Sequence, residues 1–216
     1  MFHLVALDKV TSTNDELKDL AAKGAPHFTV VTANTQTKGR GRNGNKWESP
    51  KGNLYISVLS REVITPLLSF IAAISVREAL GKGDLKWPND VLVDGKKVAG
   101  ILLESVEGEY AIIGIGINLA KAPKYAAVVE EDIKKVQDIL LARLWHNIKE
   151  FKQKGFAGIR TKWLENAAFM GEEIKVNLQK SKLSGIFEGL TESGELILKT
   201  TTETKLISSG EIQGTL

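Results

Sequence analysis

Residues 85–104, LKWPNDVLVDGKKVAGILLE, carry the clearest structural pattern in the chain. Two short apolar runs, 85–87 and 91–93, are typical of neighbouring β-strands. Asp94-Gly95 is a favoured two-residue turn of a β-hairpin. We therefore expect the chain to reverse there and to return as a further strand over 97–104.

Strands and helices are predicted on both sides of this hairpin. Apolar and β-branched runs predict further strands over 2–7, 28–33, 54–59 and 110–117, and amphipathic or apolar patterns predict helices from Thr13, over 65–80, over 130–154 and over 158–168. Thr13 to Glu16 has the form of a capping box, and Thr65-Pro66 that of an N-cap followed by the first helical residue. The pattern is typical of an α+β fold with a mixed, mainly antiparallel sheet.

The pattern changes after Met170-Gly171. Four short strands are predicted over 174–178, 183–190, 196–200 and 204–207, with no helix between them. About 45 residues of this kind are typical of a small SH3-like β barrel. We therefore expect two domains, a catalytic domain over residues 1–170 and a small β domain over residues 171–216.

Composition excludes several classes of site and of protein. The chain has no cysteine, so a disulfide, a thiolate metal site and a cysteine nucleophile are excluded. The three histidines, at positions 3, 27 and 146, are too scattered for a metal motif. The N-terminus lacks the apolar core of a signal peptide and no apolar run reaches 18 residues, so we expect a cytoplasmic protein without a membrane span.

Positive charge is concentrated in one segment, Lys38–Lys51, KGRGRNGNKWESPK, which we call the basic loop. It holds five basic side chains, three glycines and one tryptophan against one acid, whereas the whole chain has a net charge of only +3. Glycines let the backbone bend around a ligand, and Arg40 and Arg42 can each bind an anion through two N–H groups. The basic loop therefore predicts a focused anion site rather than a general nucleic-acid surface.

Three further clusters have the chemistry of the same site. Hydroxyls and amides of Ser12, Thr13 and Asn14 begin a helix, where a carbonyl or an anion can be received. Lys86-Trp-Pro-Asn-Asp90 presents an amide and a carboxylate at a strand edge, and Lys97 begins a strand three residues before Gly100. Positive charge from Arg40, Arg42 and Lys97 would allow a carboxylate to meet the α-phosphate of ATP, a reaction that needs no side-chain nucleophile.

These motifs, in this order, closely resemble the biotin protein ligases over essentially the whole chain. The matching segments are Ser12-Thr13-Asn14, Gln36, Gly39–Arg42, Trp47–Pro50, Gly52–Ser57, Lys86–Asp90, Lys97–Ile101, Gly114–Asn118 and Gly210–Ile212. The resemblance implies a class II synthetase-like catalytic domain that makes biotinyl-5′-AMP from biotin and MgATP. The biotin would then pass to a lysine of a biotin carboxyl carrier domain.

The resemblance also implies a role for each matching residue. Biotin would be bound by Ser12, Thr13, Asn14, Gln36, Gly39, Arg40, Gly41, Arg42, Lys97 and Gly100, and the nucleotide by Arg40, Arg42, Trp47, Lys86, Asn89, Asp90 and Asn118. Lys97 and Arg42 would be the catalytic pair. No direct metal motif is present, and Mg²⁺ carried by ATP is expected near Asp90. Tyr55 is either a wall of the ring pocket or a core residue.

Two features separate this sequence from many members of that family. Asn43 and Asn45 stand where many relatives carry arginine in the loop. The first motif begins at residue 11, which leaves no room for the DNA-binding winged helix of bifunctional members, so we expect no specific DNA binding. The family often forms homodimers, and a homodimer is left open here.

Two other functions remain as alternatives. Lipoate–protein ligases share the fold and the adenylation chemistry, but not this combination of basic loop and Lys86–Asp90 motif. A non-catalytic nucleic-acid-binding module would use the same basic loop, but it would also need aromatic side chains spread along one face.

Overall fold

The computed structural model describes residues 2–106, 108–179 and 181–215, which form two β-sheets and four helices. The larger sheet has seven strands in the order β1-β2-β3-β7-β6-β5-β4. Its strands are β1 (His3–Val10), β2 (Thr29–Gln36), β3 (Leu54–Ser60), β4 (Asp84–Lys86), β5 (Asp90–Val93), β6 (Lys96–Val106) and β7 (Tyr110–Ile117). β1 and β2 run parallel, and every other neighbouring pair is antiparallel. The predicted α+β class with a mixed, mainly antiparallel sheet is confirmed.

The four helices cover both faces of this sheet. They are α1 (Thr13–Ala22), α2 (Leu68–Leu80), α3 (Ile133–Lys154) and α4 (Phe156–Leu164). Neighbouring residues of a strand point to opposite faces, and in β2 Val30 packs in the large core with α2 whereas Val31 packs with Leu17 of α1. α1 therefore covers one face of the sheet, and α2 covers the other.

The smaller sheet has five strands in the order β11-β10-β9-β8-β12. They are β8 (Glu173–Asn177), β9 (Lys182–Leu190), β10 (Leu196–Lys199), β11 (Thr204–Ile207) and β12 (Glu211–Thr215). Four were predicted, whereas β12 was not expected from the sequence. Glu211–Thr215 has a single large apolar residue, Ile212, so it has little of the alternation that marks a strand. The small β unit is confirmed, while its SH3-like barrel form and the division at residues 170 and 171 remain predictions.

All four helix starts differ from those expected, and α4 begins at Phe156 instead of residue 158 and ends at Leu164 instead of residue 168. The N-cap of α1 is Ser12, not Thr13, and its side chain makes no capping hydrogen bond. The capping box was wrong because the amide and hydroxyl of Thr13 both donate to Gln36 Oε1, at 2.9 and 3.2 Å. α2 begins only at Leu68, and α3 begins at Ile133 after Asp132, whose carboxylate accepts from the Lys135 amide.

The two sheets are joined through one hydrophobic core. Buried side chains from both sheets meet there, and Trp163 of α4 makes edge contacts with Phe70 and with Phe187 of the small sheet. The fully buried Trp87 donates from Nε1 to the carbonyl oxygen of Gly194, at 3.1 Å. No helix in the described part of the chain is both long and apolar enough to cross a membrane.

The bond from Trp87 to Gly194 makes a specific prediction about stability. Trp87→Phe leaves the buried carbonyl of Gly194 without its donor, so it should lower the free energy of unfolding by about 1–3 kcal/mol more than a matched change that loses no hydrogen bond. Urea titration followed by circular dichroism measures this difference.

Trp163→Phe is the matched control. Trp163 is equally buried, and its Nε1 has no hydrogen-bond partner among the residues that the structure describes. Both variants lose similar volume, and only Trp87→Phe loses a bond. Equal destabilisation by the two substitutions would contradict the contribution assigned to that bond.

Candidate active site

A single cavity brings together most of the residues singled out from the sequence. It opens between the basic loop, the start of α1, strands β5, β6 and β7, and the start of β12. Its lining includes Ser12, Thr13, Asn14, Gln36, Arg40, Gly41, Arg42, Trp47, Asn89, Asp90, Lys97, Gly100, Gly114, Gly116, Gly210 and Glu211. Residues from all four clusters singled out from the sequence therefore meet at one place, as the hypothesis of one shared site requires.

The basic loop is a short hairpin over the cavity. Gly41 N donates to Asn45 O at 2.7 Å, and Trp47 N donates to Gly39 O at 3.0 Å. Between them Asn43 turns the chain with a positive φ of 56°, a conformation that asparagine tolerates better than most residues. The loop has a defined path because its own backbone groups pair across it.

Glycines on two adjacent strands form the floor of the cavity under Trp47. Gly100 of β6 and Gly116 of β7 are direct partners in the sheet. A Cβ atom at Gly116 would lie only 2.6 Å from the Trp47 ring, and one at Gly100 would lie 2.9 Å from Cε of Lys97. The indole and the lysine stem can therefore lie flat on the sheet only because these two positions lack side chains.

One end of the cavity is a network of neutral polar groups. Gln36 accepts from the amide and hydroxyl of Thr13 through Oε1 and donates from Nε2 to Ser49 Oγ, at 2.9 Å. The buried Ser57 Oγ lies 2.8 Å from Thr13 Oγ1 and 2.6 Å from Asn14 Oδ1. These contacts fix the side-chain amides and hydroxyls in place. This end of the cavity is therefore suited to a small polar ring that carries its own hydrogen-bond donors and acceptors.

Cations lie toward the middle of the cavity, and two of them already have carboxylate partners. Lys97 Nζ lies 2.6 Å from Asp90 Oδ1, a close ion pair. Lys97 Nζ also lies 5.3 Å from the centre of the Trp47 ring. Arg40 binds Asp15 and Glu104, and these hydrogen bonds, most of all those to Asp15, raise the pKa of Arg40 above its usual value.

Arg42 is held by neutral acceptors only. Its Nη1 lies 3.3 Å from Asn89 Oδ1 and 3.4 Å from the carbonyl oxygen of Gly210, both long for hydrogen bonds. Asn89 is fixed in turn by a 2.6 Å bond from Nδ2 to Ile101 O. Within the described residues, neither Arg42 nor the nearby Lys46 has a carboxylate within 4.0 Å. Their charge is therefore the charge that is available to an anionic ligand.

Three predicted site residues do not line the cavity. Gly39 lies behind it, where a Cβ atom would meet Ser49 Oγ at 2.6 Å and Gln36 Nε2 at 3.0 Å. Lys86 is half-buried in β4 opposite Asp90, and Asn118 is buried and donates from Nδ2 to Ala127 O at 3.2 Å. Tyr55, the alternative wall of the pocket, is buried with its hydroxyl bonded to Pro50 O, and burial raises the pKa of Tyr55 to about 12.

The structure also shows three residues that support the site from outside the cavity lining, and the sequence assigned no site role to any of them. Glu104 lies on the same face of β6 as Gly100, four residues further along, so the alternation of that strand was the signal for it. Asp15 follows directly on the Ser12–Asn14 motif. Asn53 accepts with Oδ1 from the amides of Leu119, Ala120 and Lys121 at 2.9–3.1 Å, and so holds the chain that follows Asn118.

The donor set of the cavity fits a metal that arrives with phosphate groups. Within the residues that the structure describes, no group of three or more His, Asp or Glu side chains is close enough to hold a metal alone. Asp90 is 8% exposed and faces the cavity beside Lys97. Mg²⁺ commonly takes one or two protein carboxylates together with substrate phosphates, and Asp90 matches that requirement.

Two parts of the chain match known protein families. Residues 6–118 match the model of the Biotin/lipoate A/B protein ligase family, and residues 169–213 match that of the Biotin protein ligase C terminal domain. The biotin–[acetyl-CoA-carboxylase] ligase of Paracoccus denitrificans is 36% identical, over 95% of this chain and 98% of its own. The bifunctional ligase/repressor BirA of Bacillus subtilis is 33% identical, over 98% of this chain and 74% of its own.

A solved structure extends the likeness to the fold. The biotin protein ligase from Aquifex aeolicus, in complex with biotin and ATP, superposes with a TM-score of 0.88. It is 35% identical, and the match covers 99% of this chain and 98% of the other. Sequence and fold agree over nearly the full length, and the chain belongs to the biotin/lipoate A/B protein ligase family.

Proposed function

We propose that this protein is an ATP-dependent biotin protein ligase. It joins biotin to AMP as biotinyl-5′-AMP with release of pyrophosphate, and then transfers biotin to a lysine ε-amine of a biotin carboxyl carrier domain. The observation that carries the proposal is the cavity itself, where a fixed polar end, Lys97 and the unpaired charge of Arg42 lie together. Carboxylate activation by ATP needs these three parts.

Biotin is favoured over lipoate as the substrate. The family model spans both kinds of ligase, whereas the model matched by residues 169–213 and the names of the relatives specify biotin. The polar end of the cavity supports the same choice, because the biotin ring system carries a urea with two N–H donors and one carbonyl acceptor. The dithiolane ring of lipoate has no N–H or carbonyl group that could hydrogen-bond to Thr13, Asn14 or Gln36, so it would gain no polar contact at this end of the cavity.

Each part of the cavity then has a role. Ser12, Thr13, Asn14 and Gln36 bind the biotin ring, and Gly100 leaves room for the Lys97 stem beside the chain that carries the carboxylate. Trp47 and Asn89 serve the nucleotide. Gly39, Lys86 and Asn118 act from outside the cavity lining, by supporting Gln36, Asp90 and the chain after β7.

The first step depends on cancelling repulsion between two anions. A carboxylate oxygen of biotin attacks the α-phosphorus of ATP while the bond to the bridging oxygen of the β-phosphate breaks, and pyrophosphate leaves with that electron pair. Lys97 is held inside the cavity by Asp90, so its ammonium is in place as the two anions approach. Arg42 adds a second positive charge from the basic loop. Mg²⁺ held by ATP and Asp90 would neutralise further phosphate charge.

The second step needs an open path for a macromolecular amine. The neutral ε-amine of the carrier lysine attacks the carbonyl carbon of biotinyl-5′-AMP, the bond from that carbon to the phosphate oxygen breaks, and AMP leaves. The amide product keeps one of the two amine protons, and the other is released to water. The basic loop must protect the mixed anhydride from water until the carrier arrives, because such an anhydride reacts readily with water and with other amines.

The binding partners follow from the same assignments. We expect the carrier domain to approach the side of the cavity covered by the basic loop, and we expect no specific recognition of duplex DNA by the residues described. Arg40 and Lys97 are occupied by carboxylates inside the site, so they do not add to a charged surface for DNA.

A direct assay tests the proposed function. Pyrophosphate release is measured with ATP and either biotin or lipoate, followed by transfer to a carrier domain read by mass spectrometry. Release that depends on biotin, together with a single biotin added to the carrier lysine, supports the proposal. Release that depends on lipoate alone would assign the protein to the other branch of the family.

Lys97→Ala should reduce adenylate formation about 10²- to 10³-fold, the effect of removing one preorganised charge from a reacting centre. Biotin binding should weaken less, because the ring contacts lie at the other end of the cavity. Single-turnover formation of biotinyl-5′-AMP measures the first effect, and titration calorimetry with biotin measures the second.

Lys96→Ala is the matched control for that prediction. Lys96 is the neighbouring lysine on β6, it is exposed, and it does not line the cavity. Its loss should leave the rate of adenylate formation nearly unchanged. Activity of Lys97→Ala equal to that of the wild type would remove Lys97 from the mechanism.

Arg42→Gly should still form the adenylate but should release it faster. The variant loses a charge-assisted contact to the phosphate, which contributes roughly 1.5–3 kcal/mol. Released adenylate acylates exposed lysines, so the variant should biotinylate serum albumin at matched adenylate production. Albumin labelling no greater than that of the wild type would show that Arg42 does not retain the intermediate.

Asn43→Gly separates the charge of Arg42 from loop flexibility. It places glycine at the residue with φ of 56° and keeps every cation of the basic loop. If loss of charge is what matters, Asn43→Gly should label albumin much less than Arg42→Gly does.

A further inference from the structure

Arg40 is the one arginine of the basic loop whose side chain is bound by two carboxylates in the described structure. Its Nη1 and Nη2 donate to the two oxygens of Asp15, at 2.9 and 2.7 Å, as a parallel pair of bonds. Its Nη2 also lies 3.0 Å from both oxygens of Glu104. A guanidinium so neutralised has little positive charge left for a phosphate, so the contacts of Arg40 point to another role.

These contacts join the basic loop to two fixed elements. Asp15 lies in the first turn of α1, and Glu104 lies near the end of β6. The side chains of Arg40, Asp15 and Glu104 are 31%, 42% and 33% exposed, so the cluster is partly open to water. A single ion pair in such a partly exposed position contributes little stability. Two carboxylates that bind the same guanidinium hold the loop better than a single pair does.

Glu104 also extends this cluster into the ring end of the cavity. Its Oε2 accepts from Asn14 Nδ2 at 2.6 Å, while Asn14 Oδ1 faces Ser57. Gly114 makes this arrangement possible, because a Cβ atom there would lie 2.3 Å from Asn14 Oδ1. The same carboxylate therefore contacts a residue of the polar end and a residue of the basic loop.

The other end of the basic loop is tied to the same turn of α1. Thr13 is bonded to Gln36, Gln36 Nε2 donates to Ser49 Oγ, and Ser49 Oγ lies 3.2 Å from the carbonyl oxygen of Trp47. Thr13, Asn14 and Asp15 thus hold the loop near Arg40 and near Trp47. Both ends depend on three consecutive residues, two of which belong to the polar end of the cavity.

We propose that Asp15 and Glu104 are positioning residues that act through Arg40 to hold the basic loop over the cavity, and that Glu104 couples this hold to the ring end through Asn14. The proposal rests on the proposed function for its catalytic consequence, which is retention of biotinyl-5′-AMP. The hold on the loop itself uses only contacts between protein atoms.

The first test measures the loop without any substrate. Trypsin cleaves at Arg42 and Lys46 in the basic loop when that segment leaves its place. The double variant Asp15→Asn/Glu104→Gln should be cleaved there roughly 5- to 20-fold faster than the wild type, the size expected from losing two partly exposed ion contacts. Cleavage of the wild type should also become faster at high salt, which screens these contacts.

Two controls separate this effect from a general loss of structure. Asp19→Asn removes an exposed acid from the same helix one turn later, and its loop should be cleaved at the wild-type rate. Arg40→Met should accelerate cleavage at Arg42 and Lys46. The triple variant Asp15→Asn/Arg40→Met/Glu104→Gln should be cleaved no faster than Arg40→Met alone. Additive effects would mean that the carboxylates do not act through Arg40.

The second test reads the reaction. In the double variant the ratio of released to enzyme-bound biotinyl-5′-AMP should rise severalfold over that of the wild type when the two proteins are compared at matched adenylate production. A protected loop and an unchanged ratio in the double variant would overturn the proposal. Faster loop cleavage in a protein that makes no adenylate from biotin would leave the hold on the loop intact and would contradict the proposed function instead.

Discussion

The site depends on holding positive charge inside a protein before the matching negative charge arrives. A carboxylate and a triphosphate repel each other, and the cations that bring them together would repel one another if nothing separated them. The protein pairs Lys97 with Asp90 and Arg40 with Asp15 and Glu104, so two of the cations lie beside carboxylates. Arg42 is half-buried and Lys46 is exposed on the hairpin of the basic loop, where water can solvate their charges. The hairpin of the basic loop, the glycine floor and the hydrogen-bonded polar end all help to place these charges.

Much of this arrangement could be predicted from short-range signals. The Asp94-Gly95 turn, the strands around it and the clustering of motifs at strand ends follow from local chemistry, and the cavity brings most of those motifs together. The sequence did not indicate Asp15 and Glu104, because both matter through their bonds to Arg40. Arg40 is 25 residues from Asp15 and 64 residues from Glu104 in the sequence. The capping box predicted at Thr13 was wrong for a similar reason. Gln36, at the end of β2, accepts hydrogen bonds from the amide and hydroxyl of Thr13 that would otherwise have served in the cap.

β12 shows the other limit of local prediction. Glu211–Thr215 pairs with β8 at the edge of the small sheet and follows Gly210, whose carbonyl oxygen Arg42 approaches. Its pairing is imposed by the sheet that it joins, not by its own composition. Residues close to the site thus come from the last strand of the chain, and the core shared by the two sheets is what brings them there.

Asn53 has a consequence for how this site can change over evolution. Its side-chain oxygen occupies the three consecutive amides that follow Asn118, and backbone amides in such a row are the groups from which many phosphate-binding turns are built. With that row filled by Asn53, the proposed function leaves recognition of the nucleotide to side chains such as Arg42 and Lys46. Backbone amides are present whatever the sequence, whereas each side chain can be exchanged by a single codon change. Asn43 and Asn45 are consistent with this. When side chains bind the ligand, a single substitution can add or remove a positive charge without any change in the backbone.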